Sequence, residues 1–167
     1  MKNNIILIGM PGVGKSTVGV VLAKMLGYHF VDTDLVIQNK TGKLLKDIID
    51  EVGTEGFIEV ENRINMEIEA EKSVISPGGS VIYGEEAMLH YKDIGKIVYL
   101  KAPYEVIESR ISNLEGRGVV LKKGQTLKEL YDERSLLYEK YADITIDETG
   151  LGIAKTAAAI ASAVKSR

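Results

Sequence analysis

Residues Gly9–Thr17 read GMPGVGKST, between the apolar run Ile5–Ile8 and a segment whose apolar residues recur at helical spacing. The first eight residues match the pattern G-x-x-x-x-G-K-[S/T] at every fixed position, and that pattern requires a strand before it and a helix after it. Its glycines let backbone N–H groups turn inward around phosphates, at the positive end of the following helix. The sequence therefore predicts a strand, a loop and a helix that bind a nucleotide.

Each side chain of this loop has a predicted role. Lys15 reaches the outer phosphates as a point charge, Ser16 is a ligand for Mg²⁺, and Thr17 is available to the α-phosphate. A glycine turn with a merely solvated lysine is the alternative, and the match of both motif and context argues against it. The residues predicted to bind the nucleotide in this loop are Gly12, Val13, Gly14, Lys15, Ser16 and Thr17.

The composition is that of one ordinary globular domain. The chain has 167 residues, of which 45% are hydrophobic and 27% are charged, so we expect a single domain over residues 1–167. A net charge of −3 argues against binding along a nucleic-acid backbone. The absence of cysteine excludes thiolate metal sites, and no apolar run is long enough for a membrane span. We therefore expect a cytoplasmic protein with neither a nucleic-acid nor a membrane partner.

Short apolar strands recur along the chain, with helical patterns between them. The strand candidates are Ile5–Ile8, His29–Val31, Val74–Ser76, Ile97–Leu100 and Ile144–Ile146. Such alternation predicts right-handed crossovers and a parallel sheet that is covered on both faces. We therefore expect a three-layer α/β/α fold around a central five-stranded parallel sheet, with the phosphate loop after its first strand.

The helical patterns carry start and stop signals. Gly27 is a good residue to end the helix after the phosphate loop, and Thr126 is a good cap for a later one. Leu44–Val52 and Phe57–Ala70 are predicted as two helices. Residues 112–124 have no helical or strand period and carry glycines and Arg117, which is typical of a lid that closes over an active site.

Two aspartates, Asp32 and Asp34, follow the second predicted strand in the sequence DTD. Ligands bind at the carboxyl ends of strands in open α/β sheets, and strand alternation would point both carboxylates the same way. One can hold Mg²⁺ through water while the other accepts the proton of an attacking hydroxyl. A helix cap with a solvated neighbour is the alternative. Their place shortly after the phosphate-binding helix favours the catalytic interpretation.

With these motifs in place, the chain resembles the shikimate kinase family, small members of the nucleoside-monophosphate-kinase-like P-loop enzymes, and the resemblance implies that the α/β/α fold is a P-loop kinase fold. The resemblance implies ATP-dependent phosphoryl transfer to a hydroxyl of a small metabolite, shikimate, in aromatic amino acid biosynthesis. It also implies ATP and Mg²⁺ as cofactors and a monomer as the active form. The motifs that carry it, in family order and spacing, are GMPGVGKST, DTD, FIEVE at Phe57–Glu61, PGGS at Pro77–Ser80, Arg117 and ERSLLYEKYAD at Glu133–Asp143.

The resemblance further implies roles for individual residues. Asp34 holds the acceptor hydroxyls and acts as the base, and Asp32 lies near the metal. Arg117 neutralises the transferring phosphate from the lid, and Arg110 lies over the adenine. Taken without the resemblance, the arginines on helices would be read as solvated or ion-paired. The residues implied to bind the acceptor are Asp34, Phe57, Gly78, Gly79 and Arg134, the last of which grips its carboxylate.

The chain departs from the family pattern on the acceptor side. Family members have an arginine where this chain has Ile58, and that arginine is one of two that hold the shikimate carboxylate. Loss of such a charge-assisted contact costs about 2–5 kcal/mol. Arg63 is turned about 140° from position 58 along a helix, so we do not expect it to replace the contact. Thr54 and Ser80 stand where the family has a glutamate and a third loop glycine.

Three functions remain open from the sequence. The favoured one is a divergent shikimate kinase that holds the carboxylate with Arg134, aided by Lys122 or Lys123, because Asp34, Arg134 and Arg117 are all present. The second is a kinase for a different small polyol, amino alcohol or sugar acid. The third, from another class, is an inactive nucleotide-binding regulatory protein, against which the presence of a base for a second substrate argues.

Overall fold

The computed structural model describes residues 2–111, 119 and 121–166. Within these residues a single sheet contains five parallel strands in the spatial order β2-β3-β1-β4-β5. This confirms the predicted five-stranded parallel sheet, and each strand extends one or two residues beyond its predicted span at one or both ends. The strands are β1 (Asn4–Ile8), β2 (His29–Asp32), β3 (Ser73–Ser76), β4 (Gly95–Lys101) and β5 (Ile144–Asp147).

Helices cover the sheet on both faces. All five residues of the central strand β1 are buried. Because alternate side chains of a strand point to opposite faces, both faces of the sheet must be covered there. No helix in the described part of the chain combines the length and the apolar character needed to cross a membrane. The helices are α1 (Lys15–Leu26), α2 (Thr33–Thr41), α3 (Leu45–Met66), α4 (Glu85–Ile94), α5 (Tyr104–Arg110), α6 (Leu127–Tyr141) and α7 (Ile153–Lys165), with a 3-10 turn at Val81–Tyr83.

The structure contains the predicted signals for the end of α1 and the start of α6. Gly27 ends α1 in the left-handed region, with φ of 67°. Thr126 begins α6 with a capping box, in which Glu129 N donates to Thr126 Oγ1 at 3.1 Å and Thr126 N donates to Glu129 Oε2 at 3.3 Å. These bonds satisfy N–H groups that a helix start otherwise leaves without a partner.

Helix α3 is two helical segments joined at a break. Gly53 lies outside the helical region, with φ of 74° and ψ of 179°, which confirms the break predicted between Leu44–Val52 and Phe57–Ala70. The second segment ends at Met66, so its predicted end at Ala70 is wrong. The N–H groups of Glu67 and Ile68 bond three residues back, and this tightened turn ends the helix before the chain enters β3.

The side chain of Asn4 links three segments at the amino end of the sheet. Its Nδ2 donates to the carbonyl oxygens of Ala70 at 2.7 Å and Ile94 at 3.0 Å, and its Oδ1 accepts from Ser73 N at 3.0 Å. Asn4 is only 2% exposed. Because β3 and β4 flank β1, this one side chain fixes the entry of the three central strands into the sheet.

We expect Asn4→Ala to lower the free energy of unfolding by about 2–4 kcal/mol, because three backbone groups at least partly shielded from water lose their partner. Urea unfolding followed by circular dichroism measures the loss. The matched control is Asn3→Ala, since Asn3 accepts one exposed bond, from Lys72 N at 3.3 Å, and should lose less than about 1 kcal/mol. Equal losses in the two variants would contradict the role of Asn4.

Candidate active site

A cavity of about 500 Å³ lies at the carboxyl ends of β1, β2 and β3. The loop after β1, the start of α2, the second segment of α3, the loop after β3 and helix α6 all contribute to its wall. It therefore brings together residues that are far apart in the sequence. The predicted site residues that line it are Gly12, Gly14, Lys15, Ser16, Thr17, Asp34, Phe57, Gly78, Gly79 and Arg134.

The loop between β1 and α1 has a backbone suited to phosphate. Gly12 and Gly14 have φ of 82° and 97°, which side-chain-bearing residues rarely adopt. Helix α1 begins at Lys15, so its first N–H groups lack partners within the helix and lie at the cavity. Such a helix start binds anions through these N–H groups and the helix dipole. The residues present therefore fit the phosphates of a nucleotide.

Lys15 is held inside this loop by the backbone. Its Nζ donates to the carbonyl oxygens of Gly9 at 2.8 Å and Met10 at 3.0 Å, and the residue is 8% exposed. Burial lowers the pKa of Lys15 to about 8, although the nearby Asp34 opposes this shift. The ammonium group therefore lies at the cavity with little solvent to stabilise its charge, where an anionic ligand would stabilise it.

The two aspartates of DTD lie in different elements, which corrects the prediction that strand alternation aligns them. The chain becomes helical at Thr33, and Asp32 caps α2 by accepting from Asp34 N at 3.0 Å. The capping alternative thus describes Asp32, whereas Asp34 lines the cavity from the first turn of α2. Burial, with a contribution from Asp32, raises the pKa of Asp34 to about 6.

The metal assignment rests on Ser16 and Asp32. Ser16 Oγ lies 3.5 Å from Ser76 Oγ at the mouth of the phosphate loop. No group of three or more His, Cys, Asp or Glu side chains that could hold a metal occurs in the part of the chain that the structure describes. Mg²⁺ does not need such a group, because it keeps several waters and binds substrate phosphates. A contact from Asp32 through water remains a prediction.

The loop after β3 packs its backbone directly against charged side chains. A Cβ at Gly78 would lie 2.8 Å from Glu61 Oε2 and 3.2 Å from Asp34 Oδ1. A Cβ at Gly79 would lie 3.0 Å from Arg134 Nη1. Any side chain at either position would displace these groups. The two glycines therefore let the backbone form the wall of the cavity beside both carboxyl groups and the arginine.

Arg134 is buried in α6 with its guanidinium group at this wall. The residue is 1% exposed, and its guanidinium carbon lies 5.5 Å from the centre of the Tyr83 ring. Tyr138, one turn further along α6, donates its hydroxyl to the carbonyl of Gly79 at 2.7 Å. Helix α6 thus holds both the cation and the loop backbone beside it.

Glu61 is a cavity residue that was not predicted for the site. It is 1% exposed, and Ser80 Oγ donates to its Oε1 at 2.6 Å. Burial raises the pKa of Glu61 to about 7, with a further contribution from Asp34. Its sequence signal is a carboxylate on the apolar face of α3, four residues after the buried Phe57 and three before the buried Ile64.

The arginine missing at position 58 has no replacement among the described residues. Ile58 is absent from the residues lining the cavity and packs, partly buried, against a small second core of Ile37, Ile48, Phe57 and Ile64. Arg63 and Lys123 are exposed, and Lys122 is exposed and lies 3.9 Å from Glu133. The described cations that line the cavity are therefore Lys15 and Arg134.

A second cavity, of about 250 Å³, adjoins the phosphate loop. Arg110 forms one side of it, with its Nη1 3.3 Å from Glu148 Oε1, and the apolar Leu151 and Ile153 also line it. A planar cation near apolar side chains suits a flat, polar ring such as adenine. The predicted nucleotide residues lining it are Gly12, Val13, Gly14, Thr17 and Arg110. Arg117 lies outside the described residues, as does most of the predicted lid.

Comparison with known proteins extends these observations. The family model for shikimate kinase matches residues 11–165. A shikimate kinase of Persephonella marina is 37% identical over 88% of this chain and 90% of that protein, and one of Francisella tularensis subsp. novicida is 40% identical over 88% and 86%. The solved structure of shikimate kinase from Acinetobacter baumannii in complex with shikimate is similar with a TM-score of 0.90, at 31% identity over 99% of this chain and 94% of that one.

The buried carboxyl of Glu61 predicts a pH-dependent stability. Its pKa is higher in the folded chain than the ordinary value of 4.5, so its contribution is fully present below about pH 4.5 and is lost as the pH rises through about 7. Glu61→Gln cannot ionise and avoids this loss. We expect the free energy of unfolding of the variant, relative to the native chain, to rise by about 2–3 kcal/mol between pH 4.5 and pH 8.

Urea unfolding at several pH values measures this difference. Glu59→Gln, which changes an exposed carboxyl on the same helix, is the matched control and should show a difference that changes by less than about 0.5 kcal/mol over the range. A pH-independent difference for Glu61→Gln would show that Glu61 is not buried as a carboxyl in the native chain.

Proposed function

The chain belongs to the shikimate kinase family, and on that premise we propose that it transfers the γ-phosphoryl group of ATP to a hydroxyl group of shikimate. One observation carries the proposal. A single cavity holds the phosphate loop, the Asp34 carboxyl and the buried Arg134 guanidinium. An acceptor with hydroxyl groups and a carboxylate is complementary to that pair, and the solved relative with shikimate bound supports this choice of acceptor.

On the nucleotide side, the protein mainly positions the phosphates and the adenine and neutralises the phosphate charge. The backbone of the phosphate loop and the start of α1 hold the phosphates, and Arg110 lies against the adenine. Lys15 leaves the carbonyl oxygens of its own loop and neutralises the outer phosphates. Ser16, with Asp32 through water, would hold Mg²⁺, which would supply further neutralisation of the phosphate charge.

On the acceptor side, Asp34 accepts the proton of the attacking hydroxyl. A carboxyl with a pKa raised to about 6 is largely ionised at neutral pH and is a stronger base than an ordinary aspartate. Arg134 holds the acceptor carboxylate, since a guanidinium can donate two parallel hydrogen bonds to it. Phe57, Gly78 and Gly79 shape the wall against which the acceptor rests.

The proposal includes parts that lie outside the described site. Arg117 would approach the transferring phosphoryl group when residues 112–124 close as a lid and exclude water. The chain would act as a single domain over residues 1–167 and as a monomer, in the cytoplasm where MgATP is available. Each of these parts rests on the family resemblance and on the sequence pattern.

Asp34→Asn tests the proposed base. We expect it to lower the kcat for shikimate-dependent ADP release by about 10²–10⁴-fold, because the amide cannot accept the proton, while the Kd for ATP changes less than about twofold. A coupled ADP assay and calorimetric titration of ATP provide the two measurements. The matched control is Asp47→Asn, an exposed aspartate on α3. Native-like turnover in Asp34→Asn would show that Asp34 takes no part in the chemical step.

Arg134→Lys tests the carboxylate contact without removing the charge. A lysine is a point charge that cannot donate two parallel bonds, so we expect the KM for shikimate to rise by about 10–100-fold and the KM for ATP to change less than about twofold. Steady-state kinetics with each substrate varied in turn measures both. Arg63→Lys, at an exposed position, is the control. Equal rises in both KM values would contradict a specific role for Arg134.

A further inference from the structure

Glu133 lies one residue before Arg134 on α6, and its two carboxyl oxygens accept hydrogen bonds from two different segments of the chain. Tyr83, in the 3-10 turn after β3, donates its hydroxyl to Glu133 Oε1 at 2.7 Å. Gln125, in the segment before α6, donates its Nε2 to Glu133 Oε2 at 3.0 Å. We call these two bonds the Glu133 bridge, because they join segments that are distant in the sequence.

The Gln125 end of the bridge holds a closed turn at residues 122–125. Gln125 N donates to the carbonyl of Lys122 at 3.0 Å, and Lys122 N donates to Gln125 Oε1 at 3.2 Å. Gly124 has φ of 80°, as the third residue of a type II turn requires. Val119, which precedes this turn closely in the sequence, lines the cavity. The bridge therefore restrains the chain next to this part of the cavity wall.

The Tyr83 end of the bridge lies against the buried arginine. The centre of the Tyr83 ring lies 5.5 Å from the guanidinium carbon of Arg134, within the range of a cation–π interaction. Burial, together with the bond to Glu133, raises the pKa of Tyr83, so its hydroxyl remains a donor at neutral pH. The bridge thus fixes a ring that packs on Arg134 and limits where the guanidinium can lie.

We propose that Glu133 is a positioning residue that couples the turn at residues 122–125 to the Arg134 guanidinium and thereby sets the affinity for the acceptor. Glu133 does not line the cavity and acts through Gln125 and Tyr83. This inference rests on the proposed function, because Arg134 holds the acceptor carboxylate. None of the three bridge residues lines the second cavity beside the phosphate loop, so the bridge acts on the acceptor and not on the nucleotide.

An exchange of side chains across the bridge tests the inference, by steady-state kinetics with shikimate and ATP varied in turn. Glu133→Gln keeps an oxygen for Tyr83 but sets its NH₂ group against that of Gln125, whose amide cannot rotate without losing its bond from Lys122. We expect the KM for shikimate to rise about three- to tenfold, with the kcat and the KM for ATP within about twofold of native values.

The exchange is completed by combining Glu133→Gln with Gln125→Glu. The new carboxylate at position 125 accepts from the new amide and still has an oxygen for Lys122 N, while the bond from Tyr83 is kept. We expect the KM for shikimate to return to within about twofold of the native value. A merely structural weakening of the chain would not be reversed by a second substitution at this position.

Tyr83→Phe tests the other end of the bridge, since it keeps the ring and removes the bond to Glu133. It should raise the KM for shikimate about as much as Glu133→Gln. The matched control is Glu139→Gln, which changes an exposed carboxyl of α6 that lies 3.4 Å from Lys101 Nζ, and both of its KM values should stay within about twofold of native.

If the native chain turns over shikimate, an unchanged KM for shikimate in Glu133→Gln or in Tyr83→Phe would overturn this inference alone. So would equal rises in the KM for both substrates, or an exchange that fails to restore the KM for shikimate. Native chain that binds ATP but ignores shikimate would overturn the proposed function and this inference with it.

Discussion

The mutual compensation of buried charges is the constraint on which the site depends. Lys15, Asp34, Glu61 and Arg134 share one cavity, and each comes from a different helix. Burial raises the pKa of both carboxyl groups and lowers that of the lysine, and the opposite charges nearby offset these shifts only in part. Removal of Lys15 or Arg134 would leave the two carboxyl groups with less opposing charge, which is more costly than the loss of an exposed ion pair.

The fold meets this constraint by bringing helix starts and loops to one edge of the sheet. Parallel strands end together, so the loops after β1, β2 and β3 become neighbours although they are far apart in the chain. Asn4 fixes the opposite end of the central strands. Gly78 and Gly79 then allow the backbone to approach the charged groups closely. The positions of the reacting groups are therefore set by rigid elements rather than by flexible side chains.

The sequence could predict what is encoded in short contiguous stretches. The phosphate loop is one continuous motif, and each strand is a local apolar run, so both were predictable, as was the break at Gly53. The prediction that Asp32 and Asp34 point the same way was wrong because it depends on where β2 ends and α2 begins, which a strand pattern does not specify. Glu61 and Ser80 meet across 19 positions of sequence. Their contact arises only when α3 packs on the loop after β3, and no local pattern signals it.

The burial of Lys15 in the phosphate loop has a consequence for reactivity. An amine with a pKa of about 8 loses its proton far more readily than an ordinary lysine, so a measurable share of it is a free nucleophile near neutral pH. It also faces an open cavity. At neutral pH Lys15 should therefore be acylated by a small electrophile more readily than a lysine of ordinary pKa. A bound nucleotide would protect it, because the phosphates restore its positive charge.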